Sequence, residues 1–240
     1  MDAKLFIPIP VFNRRRIAEQ CIPTVYDGMN NGFGCDYLFC YDDGSTEWND
    51  NGKWLFQWAD LVFRSPVTTG IEAQRKQHFN DFWERRNEYG FTHMYLTDSD
   101  ALHDPSWRSK ALALQEEHNG APLCLYNTVA HSSLVGNTLE DKPRSNVIWR
   151  RFAPGISYLL TLEHVEKVMS RINDLRNWDW QVPEWLGMRF AISRVSYCDH
   201  LGLGGAHHPV GEGLDGGDRC LNPTPWLVSK RAEVVQALSV

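Results

Sequence analysis

What this sequence lacks narrows its reading before any motif is considered. It has no run of the roughly 18 to 20 apolar residues that a membrane-spanning helix needs, and no lipidation signal, so no membrane partner is expected. The opening segment, MDAKLFIPIPVFNRRR, has neither a basic flank before its apolar run nor a small-residue cleavage site after it, which points to the cytoplasm. Cysteine occurs only singly, at Cys21, Cys35, Cys40, Cys124, Cys198 and Cys220; no C-x-x-C pair is present to chelate zinc or run thiol exchange. Reduced, mostly buried thiols are therefore expected. Positive charge is in deficit: 24 Lys and Arg against 30 Asp and Glu leave a net charge of −6, so no whole-molecule field draws in a polyanion. Internal repeats are absent as well, which excludes a solenoid or propeller.

What is present is enough apolar material for one core. The 240 residues are 42% hydrophobic and 12% aromatic, and a single globular domain follows. The stretch 4–12, KLFIPIPVF, predicts a strand, with Pro8 and Pro10 suited to a strand end passing into a loop. A helix is expected over 14–29, a strand closing in an acidic turn over 37–46 (YLFCYDDGST), and a short strand over 61–63. Residues 71–89 predict a helix ended by Gly90, and 92–100 (THMYLTDSD) repeats the pattern of apolar strand and acidic turn. This alternation argues for an α/β layer with a mostly parallel sheet, whose ligand crevice lies outside the carboxyl ends of the strands. Further helices are expected over 107–118 and 161–174, the latter capped by Thr161 with Glu163 or His164 in its first turn. Beyond residue 200, LGLGGAHHPVGEGLDGGDRC is rich in glycine and reads as a loop able to lie close to a ligand as a lid.

Asp98-Ser99-Asp100 closes the strand FTHMYL, so one strand end carries two carboxylates. Hard divalent cations take oxygen ligands in such an arrangement, and a cation there neutralises the charge that builds on a departing diphosphate. An Asp-x-Asp triplet alone also occurs in solvated turns and helix caps.

Three landmarks in order, IPIPVFNR at 7–14, YDDGST at 41–46 and YLTDSDALHDPSW at 95–107, resemble successive signatures of the family 2 glycosyltransferases. NWDWQVPEWLGMRF at 177–190 and SRVSYCDHLGLGGAHH at 193–208 resemble that family's acceptor half. The resemblance implies a GT-A fold (nucleotide-diphospho-sugar transferase, a single-domain Rossmann-like mixed sheet flanked by helices). It implies one domain over 1–240, with a nucleotide-sugar half at about 1–106 and an acceptor half at about 107–240. The implied activity is metal-dependent, inverting transfer from a nucleotide diphosphate sugar, UDP-linked by preference, with Mn²⁺ or Mg²⁺.

Carried onto this chain, the resemblance places Pro10, Val11, Phe12 and Asn13 against the nucleotide base. Asp42, with Asp43 close behind, accepts the imide N–H of a uracil-like edge. Arg75, with Ser99, faces the diphosphate, where its planar fork suits phosphate oxygens. Asp98 and Asp100 hold the metal with His200, and His207 and His208 are rivals for that last position. Asp179, between Trp178 and Trp180, is the general base that takes the acceptor's hydroxyl proton, with Glu184 in reserve. Lys76 departs from the family pattern after the arginine, and the run Arg14-Arg15-Arg16 is unusually basic for a base-binding loop. It is either a solvated helix start or a phosphate contact.

A nucleotidyltransferase would want a glycine-rich phosphate loop after the first strand, and PVFNRRR has no glycine. A saccharide- or nucleic-acid-binding protein without turnover is the alternative from another class. Glycans, proteins and modified nucleobases all remain possible acceptors.

Overall fold

Seven consecutive buried residues make β1 (Leu5–Val11) a central strand. In the computed structural model, which describes residues 3–29, 36–48, 50, 52–202 and 220–238, it is followed by α1 (Arg15–Gly28), β2 (Tyr37–Asp42), β3 (Leu61–Arg64), α2 (Ile71–Tyr89), β4 (His93–Leu96) and β5 (Ala101–His103). Then come α3 (Trp107–Glu117), β6 (Leu123–Cys124), α4 (Val129–Ser133), β7 (Thr138–Glu140), β8 (Val147–Arg150), β9 (Tyr158–Thr161), α5 (Leu162–Met169), α6 (Trp178–Trp185), β10 (Phe190–Ser193), β11 (Cys198–His200) and α7 (Pro225–Leu238).

Among the described residues the main sheet has nine strands, in the order β3-β2-β1-β4-β9-β6-β10-β8-β7. It is parallel from β3 through β4 and then mixed, because β9 runs antiparallel to both β4 and β6, and β8 antiparallel to both β10 and β7. The expected mostly parallel sheet therefore holds for the first half only. In the second half β7 returns to β8 across residues 141–146, too short a connection for a parallel crossover.

Pro8 and Pro10 sit inside this central strand and not at its end. β1 pairs with β2 from Phe6 to Val11, but with β4 at Leu5 and Phe6 alone. Past Phe6 one flank of β1 is thus open, and a residue without an N–H leaves no ladder bond unmade there. The same parting of β1 from β4 opens a crevice where the strand order reverses direction, the place at which such sheets bind ligands.

Helix signals in the sequence are answered closely. α2 ends on Gly90 at φ 71°, the left-handed cap that glycine permits, with its N–H on the Arg86 carbonyl. α5 opens on a capping box between Thr161 and His164, but the helix stops at Met169 and a separate 3₁₀ turn follows at Ile172–Asp174. α7 is an element that the glycine-rich reading of the C-terminal region passed over. Its signal is Thr224 before Pro225: the Thr224 hydroxyl accepts from Leu227 N–H, and proline at the first helical position needs no donor.

The core between sheet and helices is strongly aromatic, with Phe6 4.7 Å from Phe39 and ringed by Phe82 and Phe91. A second, smaller cluster of Cys21, Leu102, Leu201, Leu227 and Val234 fastens the β5–β11 ribbon to α1 and α7. Cys21, Cys40, Cys124 and Cys198 are free and buried, and Cys220 is free and partly buried. Among the described residues no helix is long and apolar enough to cross a membrane.

Candidate functional site

The turn after β1 is knitted to the turn after β2. Asn13 N–H donates to Ser45 Oγ at 2.8 Å, Asn13 Oδ1 accepts from Thr46 N–H at 2.9 Å, and Arg14 N–H donates to Glu47 Oε2 at 2.9 Å. These bonds hold Asn13 and Arg14 both at φ 51°, a left-handed conformation that asparagine enters readily but arginine only rarely. Phe12 is left 42% exposed. It lines a cavity of about 630 Å³ together with Pro10, Val11, Asn13, Arg14 and Asp43.

The opposite wall is the acidic turn after β4, where Asp98, Ser99 and Asp100 all face the cavity. The ribbon of β5 with β11 sets their partner. Ala101 pairs with His200, Leu201 N–H donates to the Asp100 carbonyl, and Arg231 from α7 grips Asp199 at 2.6 Å and the His200 carbonyl at 3.1 Å. His200 Nε2 is thereby held 3.2 Å from Asp100 Oδ2, and Arg14 Nη1 lies 2.9 Å from that same oxygen. Burial works against charge on Asp100, but His200 and Arg14 outweigh it and hold the carboxyl well below the usual range. Asp98 differs: burial pushes its carboxyl up, and Arg75 only partly opposes this.

Two of the residues expected against base and phosphate, Asp42 and Arg75, are not among those lining the cavity. Asp43, not Asp42, reaches the cavity, because successive strand residues point to opposite sides. Asp43 takes three donors from Thr69 and Gly70 and so fixes the loop leading into α2. Asp42 is buried, accepting from Ser45 N–H and facing Arg64 Nε at 3.3 Å. Arg75 is fully enclosed and does not open on the cavity. Its guanidinium donates to Asp98 and to the Thr97 carbonyl, and stacks 4.5 Å over the Trp178 ring. A buried guanidinium needs a counter-charge, and Asp98 supplies it.

Asp179 stands in the first turn of α6, next to the Trp178 that covers Arg75. It is half-buried, and burial raises its carboxyl above the usual range, with Glu72 adding to the rise. Trp180 is 48% exposed and packs against Phe152 at 4.6 Å. Glu184 is exposed on the same helix. His207 and His208 lie outside the described residues.

The residues fit a divalent cation in part. The 3.2 Å between Asp100 Oδ2 and His200 Nε2 is what two adjacent ligands of one ion span when each bond is about 2.1 to 2.2 Å. Asp98, expected as the third ligand, is taken by Arg75, and among the described residues no group of three His, Cys, Asp or Glu converges on one point. A hard ion that completes its shell on substrate phosphates needs only one or two protein ligands.

Sequence reasoning missed Glu47, Thr68, Gly70, Ile71 and Gln74, which also line the cavity. Gly70 was detectable as the residue before a predicted helix; the others depend on how loops fold back. Of the arginine run, Arg14 faces the cavity, Arg15 pairs with Glu19 and Asp50, and Arg16 donates to the Ala237 carbonyl.

No family model and no curated protein matches this sequence. Solved structures do match in fold. S. aureus TarS has a TM-score of 0.58 at 12% identity, over 81% of this chain and 36% of that one. TarS 1-349 in complex with UDP-GlcNAc has a TM-score of 0.57 at 13% identity, over 81% of this chain and 57% of that one. The same fragment in complex with UDP gives 0.57 at 12% identity, over 81% and 59%. The chain thus spans less than two thirds of the TarS chains it matches. The large mixed sheet flanked by helices, expected as a GT-A fold, is the fold it shares with them.

Proposed function

We propose that this chain is a glycosyltransferase that moves a sugar from a UDP-linked donor to an acceptor, inverting the anomeric carbon. The observation that carries this reading is a cavity at the reversal point of the strand order, walled by both acidic turns. Support comes from the like fold of TarS, solved with UDP-GlcNAc and with UDP.

In this reading the exposed Phe12 ring offers a face to the nucleotide base. Asp43, already oriented by three donors, accepts the uracil imide N–H with a remaining lone pair. Asp100 and His200 would hold Mn²⁺ or Mg²⁺ on the diphosphate side, with Ser99 beside them. When bound, the ion supplies Lewis-acid neutralisation of the charge left on the departing nucleotide. Arg75 acts as a positioning residue, tying Asp98 to the Trp178 face of α6. Asp179 takes the proton of the acceptor hydroxyl while that oxygen attacks the anomeric carbon from the side opposite the nucleotide, and the bond to the diphosphate oxygen breaks. The acceptor, a glycan, a protein or a modified nucleobase, would approach on the Asp179 side, where Trp180 is exposed. A cytoplasmic setting belongs to the same reading, supported by the free cysteines.

The test needs no acceptor. Purified protein with Mn²⁺ and a panel of nucleotide sugars is expected to release nucleotide diphosphate slowly from a UDP-linked donor, and Asp100→Ala to lose that release. If no donor is hydrolysed and calorimetry detects no donor binding in the presence of Mn²⁺, the transferase reading is wrong.

A further inference from the structure

One carboxylate oxygen in the cavity has two claimants. Asp100 Oδ2 accepts from Arg14 Nη1 at 2.9 Å, and it is also the oxygen that lies 3.2 Å from His200 Nε2. A divalent ion seated between Asp100 and His200 would therefore stand beside the Arg14 guanidinium, on the carboxylate that Arg14 already contacts. Both are cations, and a guanidinium does not give up its proton at any ordinary pH. The two cations repel across a shared carboxylate, and moving the guanidinium away relieves that repulsion.

The backbone of Arg14 is poorly placed to move. It caps α1, it is held at φ 51°, and its N–H is fixed on Glu47. The side chain is 30% exposed while Asp100 is 5% exposed, so the guanidinium lies at the open side of the pair. A guanidinium displaced from Asp100 stays on the cavity wall, where a diphosphate offers oxygens spaced for its fork.

We propose that Arg14 is a built-in competitor for the divalent cation site, holding Asp100 until donor diphosphate draws its guanidinium away. The inference rests on the donor-site reading above and adds an order to it: cation binding alone is weak, and diphosphate strengthens it by giving Arg14 another partner. Linkage makes the effect reciprocal, so the cation strengthens diphosphate binding by the same factor.

The test is titration of Mn²⁺ by electron paramagnetic resonance, with and without UDP, on the full chain and on Arg14→Gln and Arg14→Lys, with thermal melts to check folding. Arg14→Gln is expected to bind Mn²⁺ alone at least about fivefold more tightly than the native chain, within the usual range of coupling between sites. The gain in Mn²⁺ affinity caused by UDP is expected to shrink by a similar factor. Arg14→Lys, which keeps a cation near Asp100, stays close to the native chain. Unchanged or weaker Mn²⁺ binding in Arg14→Gln, or equal tightening in both variants, overturns the proposal. The donor-site reading fails separately: a native chain that takes up no UDP at saturating Mn²⁺ sinks that reading whatever the Mn²⁺ titrations give.

Discussion

At the scale of single residues, the base role proposed for Asp179 carries a pH dependence. A general base works only when ionised, and burial raises the Asp179 carboxyl above the ordinary aspartate range. Its base form is therefore lost as pH falls through a value higher than that of a solvated aspartate. The acid limb of donor hydrolysis, with water as acceptor, should begin at correspondingly higher pH. Asp179→Asn should lower turnover by about 10² to 10⁴-fold, the usual contribution of a general base, while UDP affinity measured by calorimetry stays unchanged. An acid limb that persists in Asp179→Asn would assign the base to another group. Residues such as Asp98 and Asp100 were legible in the sequence because a strand followed by an acidic turn puts carboxylates at a ligand-facing edge. The choice between Asp42 and Asp43 was not legible, since it depends on which residue of the pair continues the strand alternation. The enclosure of Arg75 was not legible for a different reason. Helical spacing shows which face a side chain shares but not whether α6 will lie across it, and Trp178 does.

At the scale of elements, the position of α6 depends on a close approach that its own sequence does not announce. Gly155 precedes β9, and a Cβ added there would stand 2.8 Å from Trp178 Cζ2 and 3.2 Å from Asp179 Cβ. The Trp178 ring is buried and stacked on Arg75, so it cannot swing aside. Gly155→Ala should therefore push the first turn of α6 outward. The expected cost is about 1 to 3 kcal/mol of stability, typical of overpacking, read from urea unfolding. Donor hydrolysis should fall with it while UDP binding, which in the proposed reading depends on the turns after β1, β2 and β4, is retained. If UDP affinity falls in parallel with hydrolysis, α6 is coupled to the donor wall more tightly than this geometry implies. Elements with local signals, such as α2 ending on Gly90 and α5 opening on Thr161, were legible almost to the residue. The strands of the second half were not, because β6 and β7 are too short to carry a periodicity and their pairing is set by distant neighbours.

At the scale of the whole molecule, the cavity joins parts of the chain from Pro10 to Gly202, and no single segment of the sequence contains it. The α/β class and the crevice at the strand ends were legible because alternating strands and helices admit few topologies. The mixed second half of the sheet, and the grip of α7 on β11 through Arg231, follow from packing that only the folded chain supplies. This architecture has a thermodynamic consequence. A ligand bound across β1, β2, β4 and β11 touches strands of both the main sheet and the ribbon, so it stabilises the native state against global unfolding and not just one loop. At a concentration about 100 times its dissociation constant, a single-site ligand adds about 2.7 kcal/mol. For a chain of this size each kcal/mol moves the melting temperature by about 2 to 4 °C, so a rise of roughly 5 to 10 °C is expected with UDP and Mn²⁺ together. Competition between Arg14 and the cation makes the two ligands cooperative, so their joint rise should exceed the sum of the separate ones in a thermal melt. Asp100→Ala removes the shared oxygen, and in that variant the joint rise should collapse to the effect of UDP alone; a joint rise that survives the substitution would place the cation elsewhere.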